Sequence, residues 1–238
     1  MFYLTADIHG DFDNFVRMLK KIQFNTDRDK MVIIGDVLDR NDKPLELLEY
    51  IRNYIDLGNM KLLKGNHELF AQKYIQGNLR GKTWDIYGGE STRKQVDCLS
   101  ENKKEELLRF ISSLEYYDTL NSPKYGEMAL THTGLQFDHI IRSKGKVDVI
   151  KSLEDGYKSD EFEFLVNTDM HILDIDTLKN ADHFIVCGHV CTYNLNPDGE
   201  SNAYINQYYM DIDCGCGHRD HGGELCCYCV DEDSFEYV

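Results

Sequence analysis

Short apolar runs that stop on ligand-type side chains constrain this chain more than any other feature. "MVIIG" (31–35) is followed at once by Asp36, Asp39 and Arg40. Charged groups at the mouth of a hydrophobic strand cost folding energy unless partners are supplied. The device recurs. "FYLTA" (2–6) leads to Asp7 and His9, "MKLLKG" (60–65) to Asn66, His67 and Glu68, "EMALTH" (127–132) ends in His132, and "HFIVCG" (183–188) leads to His189. Two more β-favouring runs, "YMDIDCG" (209–215) and "ELCCYCVD" (224–231), read as a hairpin turning at Gly222 and Gly223, which brings the expected strands to seven.

Amphipathic patterns separate the first strands. "FDNFVRMLKKI" places Phe12, Phe15, Val16, Leu19 and Ile22 on one face with Asp11 as N-cap. "PLELLEYIRNYI" opens on Pro44, a favoured first-turn residue, and "NKKEELLRFISSL" repeats the apolar spacing with Leu107, Leu108, Ile111 and Leu114. Strand and helix in alternation argue for parallel strands covered by helices, with the later strands forming a mixed or second packed sheet. The expected fold is α/β, a two-sheet mixed β-sandwich flanked by α-helices. With 238 residues, three prolines, no internal repeat and no low-complexity tract, residues 1–238 are expected to form a single domain. The polar stretch from Lys144 to Asp160 reads as a long exposed loop or a short irregular helix.

Composition excludes several functions. No apolar run approaches the roughly 18 residues of a membrane span, and the N-terminus lacks an apolar signal core, so a soluble, cytoplasmic protein with no membrane partner is expected. A net charge of −16, spread along the chain, disfavours binding to a nucleic-acid backbone. An anionic substrate would need local positive charge, which bound metal cations can supply. Eight cysteines, five of them in the last 25 residues, do not suit a secreted disulfide framework and read as reduced thiols.

Open α/β sheets gather strand-end loops along one edge. Asp, His and Asn donors collected there suit a pair of divalent metals, because imidazole favours transition ions and a carboxylate can bridge two of them. Such a pair clamps a phosphoryl group and acidifies water, which is hydrolytic phosphoryl chemistry.

The motifs "DIHG" at Asp7, "GDVLDR" at Gly35, "GNHE" at Gly65, "THTG" around His132 and "CGHV" around His189 occur in an order and spacing that resemble the calcineurin-like metallophosphoesterases, and within them the phosphoprotein phosphatase branch with its short bacterial and phage members. "YGGEST" (87–92) and "MDIDCG" (210–215) support the match. The resemblance implies that Asp7 and His9 hold a first metal, Asp36 bridges, and Asn66, His132 and His189 hold a second. Manganese is first in expectation, and iron, zinc or nickel are compatible with the donors. It implies that His67 is the general acid, oriented by Asp39, that Arg40 clamps the substrate phosphate with Asn66 beside it, and that a metal-bridging hydroxide attacks phosphorus directly.

Glu68 in "GNHE" leans toward the serine/threonine protein phosphatases, so the expected substrate is a phosphoprotein or another phosphomonoester. The alternatives are a dinucleoside polyphosphate hydrolase or nucleotide phosphodiesterase of the same superfamily and, in another class, a metal-binding interaction protein without turnover. The chain departs from the family in three places. Asn41 stands where glycine is usual, Cys191 where other metallophosphoesterases place a metal-binding histidine, and Arg142 is the only arginine between His132 and His189 available as a second phosphate clamp. At the C-terminus, Cys214 with Cys216 and Cys227 with Cys229 would each share a strand face. Near His218 and His221 they are either a thiolate zinc site or buried small hydrophobes.

Overall fold

A computed structural model describes residues 1–238. The first half runs β1 (Phe2–Thr5), α1 (Phe12–Lys21), β2 (Lys30–Ile34), α2 (Pro44–Asp56), β3 (Met60–Leu63), α3 (Asn66–Ile75), α4 (Gly81–Ile86), α5 (Glu90–Asp97) and α6 (Glu101–Ser112). The second runs β4 (Tyr117–Ser122), β5 (Gly126–Thr131), β6 (Arg142–Ser143), β7 (Lys146–Val147), α7 (Val149–Ser159), α8 (Glu161–Val166), α9 (Ile175–Leu178), β8 (Phe184–Cys187), β9 (Tyr204–Ile205), β10 (Tyr209–Asp211), β11 (Cys226–Cys229) and β12 (Ser234–Tyr237).

Two five-stranded sheets result, ordered β12-β11-β1-β2-β3 and β4-β5-β8-β10-β9. β1, β2 and β3 are parallel, as are β5, β8 and β10, whereas β11, β12, β4 and β9 pair antiparallel, so both sheets are mixed. Strand alternation builds the layers. Leu4, Val32 and Ile34 of the first sheet meet Met128, Leu130, Val186 and Met210 of the second in an inter-sheet core. Their neighbours Tyr3, Met31, Ile33, Met60 and Leu62 face outward onto α1, α2 and α6. On the far side, Ala129, Ile185, Cys187 and Tyr209 pack beneath α7 and α8. The expected helix-flanked two-sheet sandwich is therefore what forms.

Two local expectations need correction. The Lys144–Asp160 stretch contains the eleven-residue helix α7, N-capped by Asp148 and burying Val149, Leu153 and Gly156, so its polar residues are the outer face of a helix. "ELCCYCVD" does not return beside β10. A turn flanked by left-handed Gly215 and Gly222 redirects the chain to the first sheet, where β11 pairs with β1 and β12. β4 and β12, whose polar and short sequences gave weak signals, complete the sheet edges. No helix is long and apolar enough to cross a membrane.

Candidate active site

The carboxyl ends of β1, β2, β3, β5 and β8 converge, and the residues following them form one buried group. Asp7, His9, Asp36, Asn66, His67 and His132 are all buried, and His189 is half-buried. The loops that carry them are strained. Of nine non-glycine residues with positive φ, six are Asp7, His9, Asp36, Asp39, Arg40 and His189. Such conformations persist only where surrounding contacts over-determine them, and they concentrate at functional sites.

Asp36 is the hub. Its Oδ2 lies 3.4 Å from His132 Nε2 and 3.7 Å from both His9 Nε2 and His67 Nε2, while its Oδ1 accepts the His67 backbone N–H at 3.0 Å. Two close donor groups share it, His9–Asp36–His67 and Asp36–His132–His189. Burial alone would push Asp36 up, but the facing imidazoles of His132 and His67 hold its carboxyl well below the usual range. Burial, reinforced by Asp213 and Asp36, pushes Asp7 well above it.

Backbone carbonyls aim the imidazoles. His9 Nδ1 bonds the Leu38 carbonyl at 2.9 Å and His132 Nδ1 the Ile34 carbonyl at 3.1 Å, which turns both Nε2 atoms inward. His132 Nε2 then sits 2.9 Å, and His189 Nδ1 3.1 Å, from Asn66 Oδ1. In the neutral form that a metal ligand requires, His132 keeps its proton on Nδ1, and its Nε2, Asn66 Oδ1 and Asp36 Oδ2 then become acceptors facing acceptors. Asp7 Oδ1 is a further buried atom without a hydrogen-bond partner. Gly65 and Gly188 let the backbone press against the Asp36 and Asp7 carboxylates, where any Cβ would collide. A divalent cation among these acceptors satisfies several of them at once, so the residues fit the expected pair of metals.

His67 is differently placed. Its Nδ1–H donates to Asp39 Oδ2 at 2.6 Å, leaving Nε2 toward the cavity. Burial lowers its pKa, but the Asp36 charge and the Asp39 bond outweigh that and raise it above the ordinary histidine value. Asp39 Oδ2 also accepts Trp84 Nε1–H at 2.6 Å, and the Asp39 backbone N–H donates to Thr92 Oγ1 at 2.9 Å. Sequence reasoning missed Trp84; it is the lone tryptophan and precedes "YGGEST", the only hint available. That segment also supplies the Gly88 carbonyl that accepts the Arg40 N–H at 2.9 Å. Asn41 has no positive φ, because Asp39 and Arg40 take the left-handed conformations, and its side chain donates to the His9 carbonyl at 2.9 Å. Glycine is therefore not required at that position.

Glu68 does not line the cavity. Its buried carboxylate accepts the backbone N–H groups of Asp36, Val37, Leu38 and Gly65 at 2.9–3.2 Å, cross-bracing the β2 and β3 loops. A substrate preference inferred from Glu68 thus loses its physical link. Arg142 is not brought to the site; it lies in the β6–β7 hairpin and donates to Thr177 Oγ1 at 3.2 Å. The C-terminal cysteines do not form a thiolate cluster. Cys214 and Cys226 enter the inter-sheet core, whereas Cys216, Cys227 and Cys229 enter the helix-facing one, as small hydrophobes. Cys191 is buried with Sγ 3.4 Å from Asp213 Oδ2.

Beside the donors opens a cavity of about 1170 Å³, lined by Arg40, Asn66, His67 and His189, by Lys94 and His218, and by Phe70, Tyr87 and Phe162. Arg40 Nη1 is buried there without a protein partner.

The chain is 24% identical over 149 residues to the asymmetrical bis(5'-nucleosyl)-tetraphosphatase PrpE of Bacillus subtilis, a stretch covering 58% of this chain and 59% of that protein. It is 38% identical over 137 residues to the symmetrical bis(5'-nucleosyl)-tetraphosphatase of Pasteurella multocida, covering 57% of this chain and 45% of that one. In structure it resembles a protein serine/threonine phosphatase from Saccharomyces cerevisiae, with a TM-score of 0.60 at 15% identity, over 100% of this chain and 79% of the other. The profile of the calcineurin-like phosphoesterase family matches residues 1–218, and the chain belongs to that family, as a metallophosphoesterase.

Proposed function

We propose that this metal-dependent phosphoesterase hydrolyses dinucleoside polyphosphates, in preference to the phosphoproteins expected from its sequence. The observation that carries the reading is the join, in one cavity, of the converging donors with a run of aromatic faces. Phe70 lies buried between Tyr87, 53% exposed, and Phe162, 42% exposed, with ring centroids at 5.1 and 6.3 Å. Exposed aromatic faces suit a nucleobase, whose stacking is worth about 1–3 kcal/mol. The two tetraphosphatase relatives support the same substrate class, although each match spans under two thirds of the relative's length.

In this reading Asp7, His9 and Asp36 hold one ion, and Asp36, Asn66, His132 and His189 the other. When bound, the ions supply Lewis-acid polarisation of the phosphoryl group and lower the pKa of water toward neutrality. Arg40 presents its guanidinium fork to the non-bridging oxygens of the attacked phosphate. His67, held by Asp39, gives the proton on Nε2 to the departing phosphate oxygen as water adds to phosphorus and the anhydride bond breaks. Trp84 positions His67 by fixing the Asp39 carboxylate.

Parallel turnover assays of the manganese-loaded protein on diadenosine tetraphosphate, a phosphoserine peptide and p-nitrophenyl phosphate test this. The dinucleotide is expected to have the highest kcat/KM. A peptide preferred by tenfold or more would return the site to phosphoproteins.

A further inference from the structure

Asp211 ends β10, fully buried, on the face of the second sheet that packs under α7 and α8 and that also carries Ile185, Cys187 and Tyr209. No lysine or arginine reaches it. Its Oδ1 accepts the Asp213 backbone N–H at 2.8 Å. Its Oδ2 faces only His171 Nε2 at 3.3 Å and Cys187 Sγ at 3.8 Å. A carboxylate so placed costs several kcal/mol of desolvation unless a cation or proton compensates it.

The fold brings the three side chains together. Cys187 and Asp211 are register partners on the adjacent parallel strands β8 and β10, so they project to the same face. His171 comes from the single turn Asp169–His171, with its Nδ1 3.3 Å from the Tyr209 hydroxyl, which leaves Nε2 toward Asp211. All three ligand atoms lie within 4.8 Å of one another. Tetrahedral zinc, with bonds of about 2.0–2.3 Å, separates its N, O and S donors by about 3.3–3.6 Å, close to the spacing around Asp211. An imidazole, a thiol and a carboxylate also form a donor set that suits zinc better than manganese. The His171 side chain is 7% exposed, which leaves a narrow edge for ion entry and for a water as fourth ligand.

We propose that His171, Cys187 and Asp211 form a zinc site separate from the dinuclear centre. The ion ties the Asp169–His171 turn to the second sheet. Its effect reaches the active site through β8, because Cys187 is followed by Gly188 and then His189.

Cobalt substitution of the full chain tests the site without relying on turnover. Three cobalt equivalents per chain are expected, with a near-ultraviolet sulfur-to-cobalt charge-transfer band, since the donors assigned to the dinuclear centre contain no sulfur. Cys187→Ser should abolish the band and remove one equivalent, and His171→Ala should remove one equivalent. Asp36→Asn should keep the band while losing metal from the dinuclear centre, so failure there is distinguishable from failure here. Two equivalents and no band in the unaltered protein would show that Asp211 is met by a proton or by His171 alone, and would overturn the site. A band that survives Cys187→Ser would place the sulfur elsewhere and overturn it equally.

Discussion

His67 has two nitrogens with separate tasks. Nδ1 is engaged by Asp39, which fixes the tautomer, so any proton delivered to substrate leaves from Nε2. His67→Asn should lower kcat by about 10²–10⁴-fold, with KM changed by no more than a few-fold, because in the proposed mechanism His67 acts as general acid on the leaving group and not in ground-state binding. Steady-state kinetics on diadenosine tetraphosphate read this directly. At this scale much was legible in the sequence. Every donor from Asp7 to His189 sits at a strand end, and the His67–Asp39 pair forms as expected. Glu68 was misleading because its type was read as a substrate signal, whereas its four backbone partners make it a brace. Trp84 was missed because its place just before "YGGEST" is a weak hint that does not tell which residue, 45 positions back, its indole will reach.

At the scale of elements, α8 borders the cavity through Phe162 and Val166, and a buried lysine anchors it to the end of β3. Lys64 Nζ, 2% exposed, donates to Glu161 Oε1 at 2.7 Å, and Tyr116 OH donates to the same oxygen at 2.7 Å. Breaking a fully buried pair costs about 3–5 kcal/mol, and the partial exposure of Glu161 reduces this, so Glu161→Gln should destabilise the protein by about 2 kcal/mol in urea denaturation near neutral pH. Burial raises the Glu161 carboxyl, but its bonds from Lys64 and Tyr116 outweigh that and lower it. Its contribution is therefore present above the ordinary carboxylate range near 4.3 and is lost as pH falls through the lower folded value. The gap between mutant and unaltered protein should close in acid. Helices with clean apolar spacing, α1, α2 and α6, were readable from sequence. α7 was obscured by its charged outer face, and the route of β11 was obscured because Gly215 and Gly222 permit either a hairpin or a crossing to the other sheet. Only tertiary packing decides between those two.

Across the whole molecule, five strand ends from two sheets supply one site, so the site exists only when the sandwich is assembled. A chain of net charge −16 must also receive an anionic substrate. Arg40 and Lys94 are the fixed cations lining the cavity, with the histidines His67, His189 and His218, alongside Asp42, Asp85 and Glu90. In the proposed mechanism a pair of metal ions adds positive charge to this mixed lining as well as supplying the chemistry. The same acidity led composition to disfavour nucleic-acid binding and to ask for local positive charge around any small anionic substrate. The most direct test of metal-dependent hydrolysis is turnover of diadenosine tetraphosphate by chelator-stripped protein titrated with manganese, alongside Asp36→Asn. The stripped protein should be inactive and regain turnover as manganese is added, and Asp36→Asn should stay about 10³-fold lower at saturation, a loss of about 4 kcal/mol in transition-state stabilisation. Full turnover in the stripped protein, or an Asp36→Asn variant as active as the unaltered chain, would contradict it.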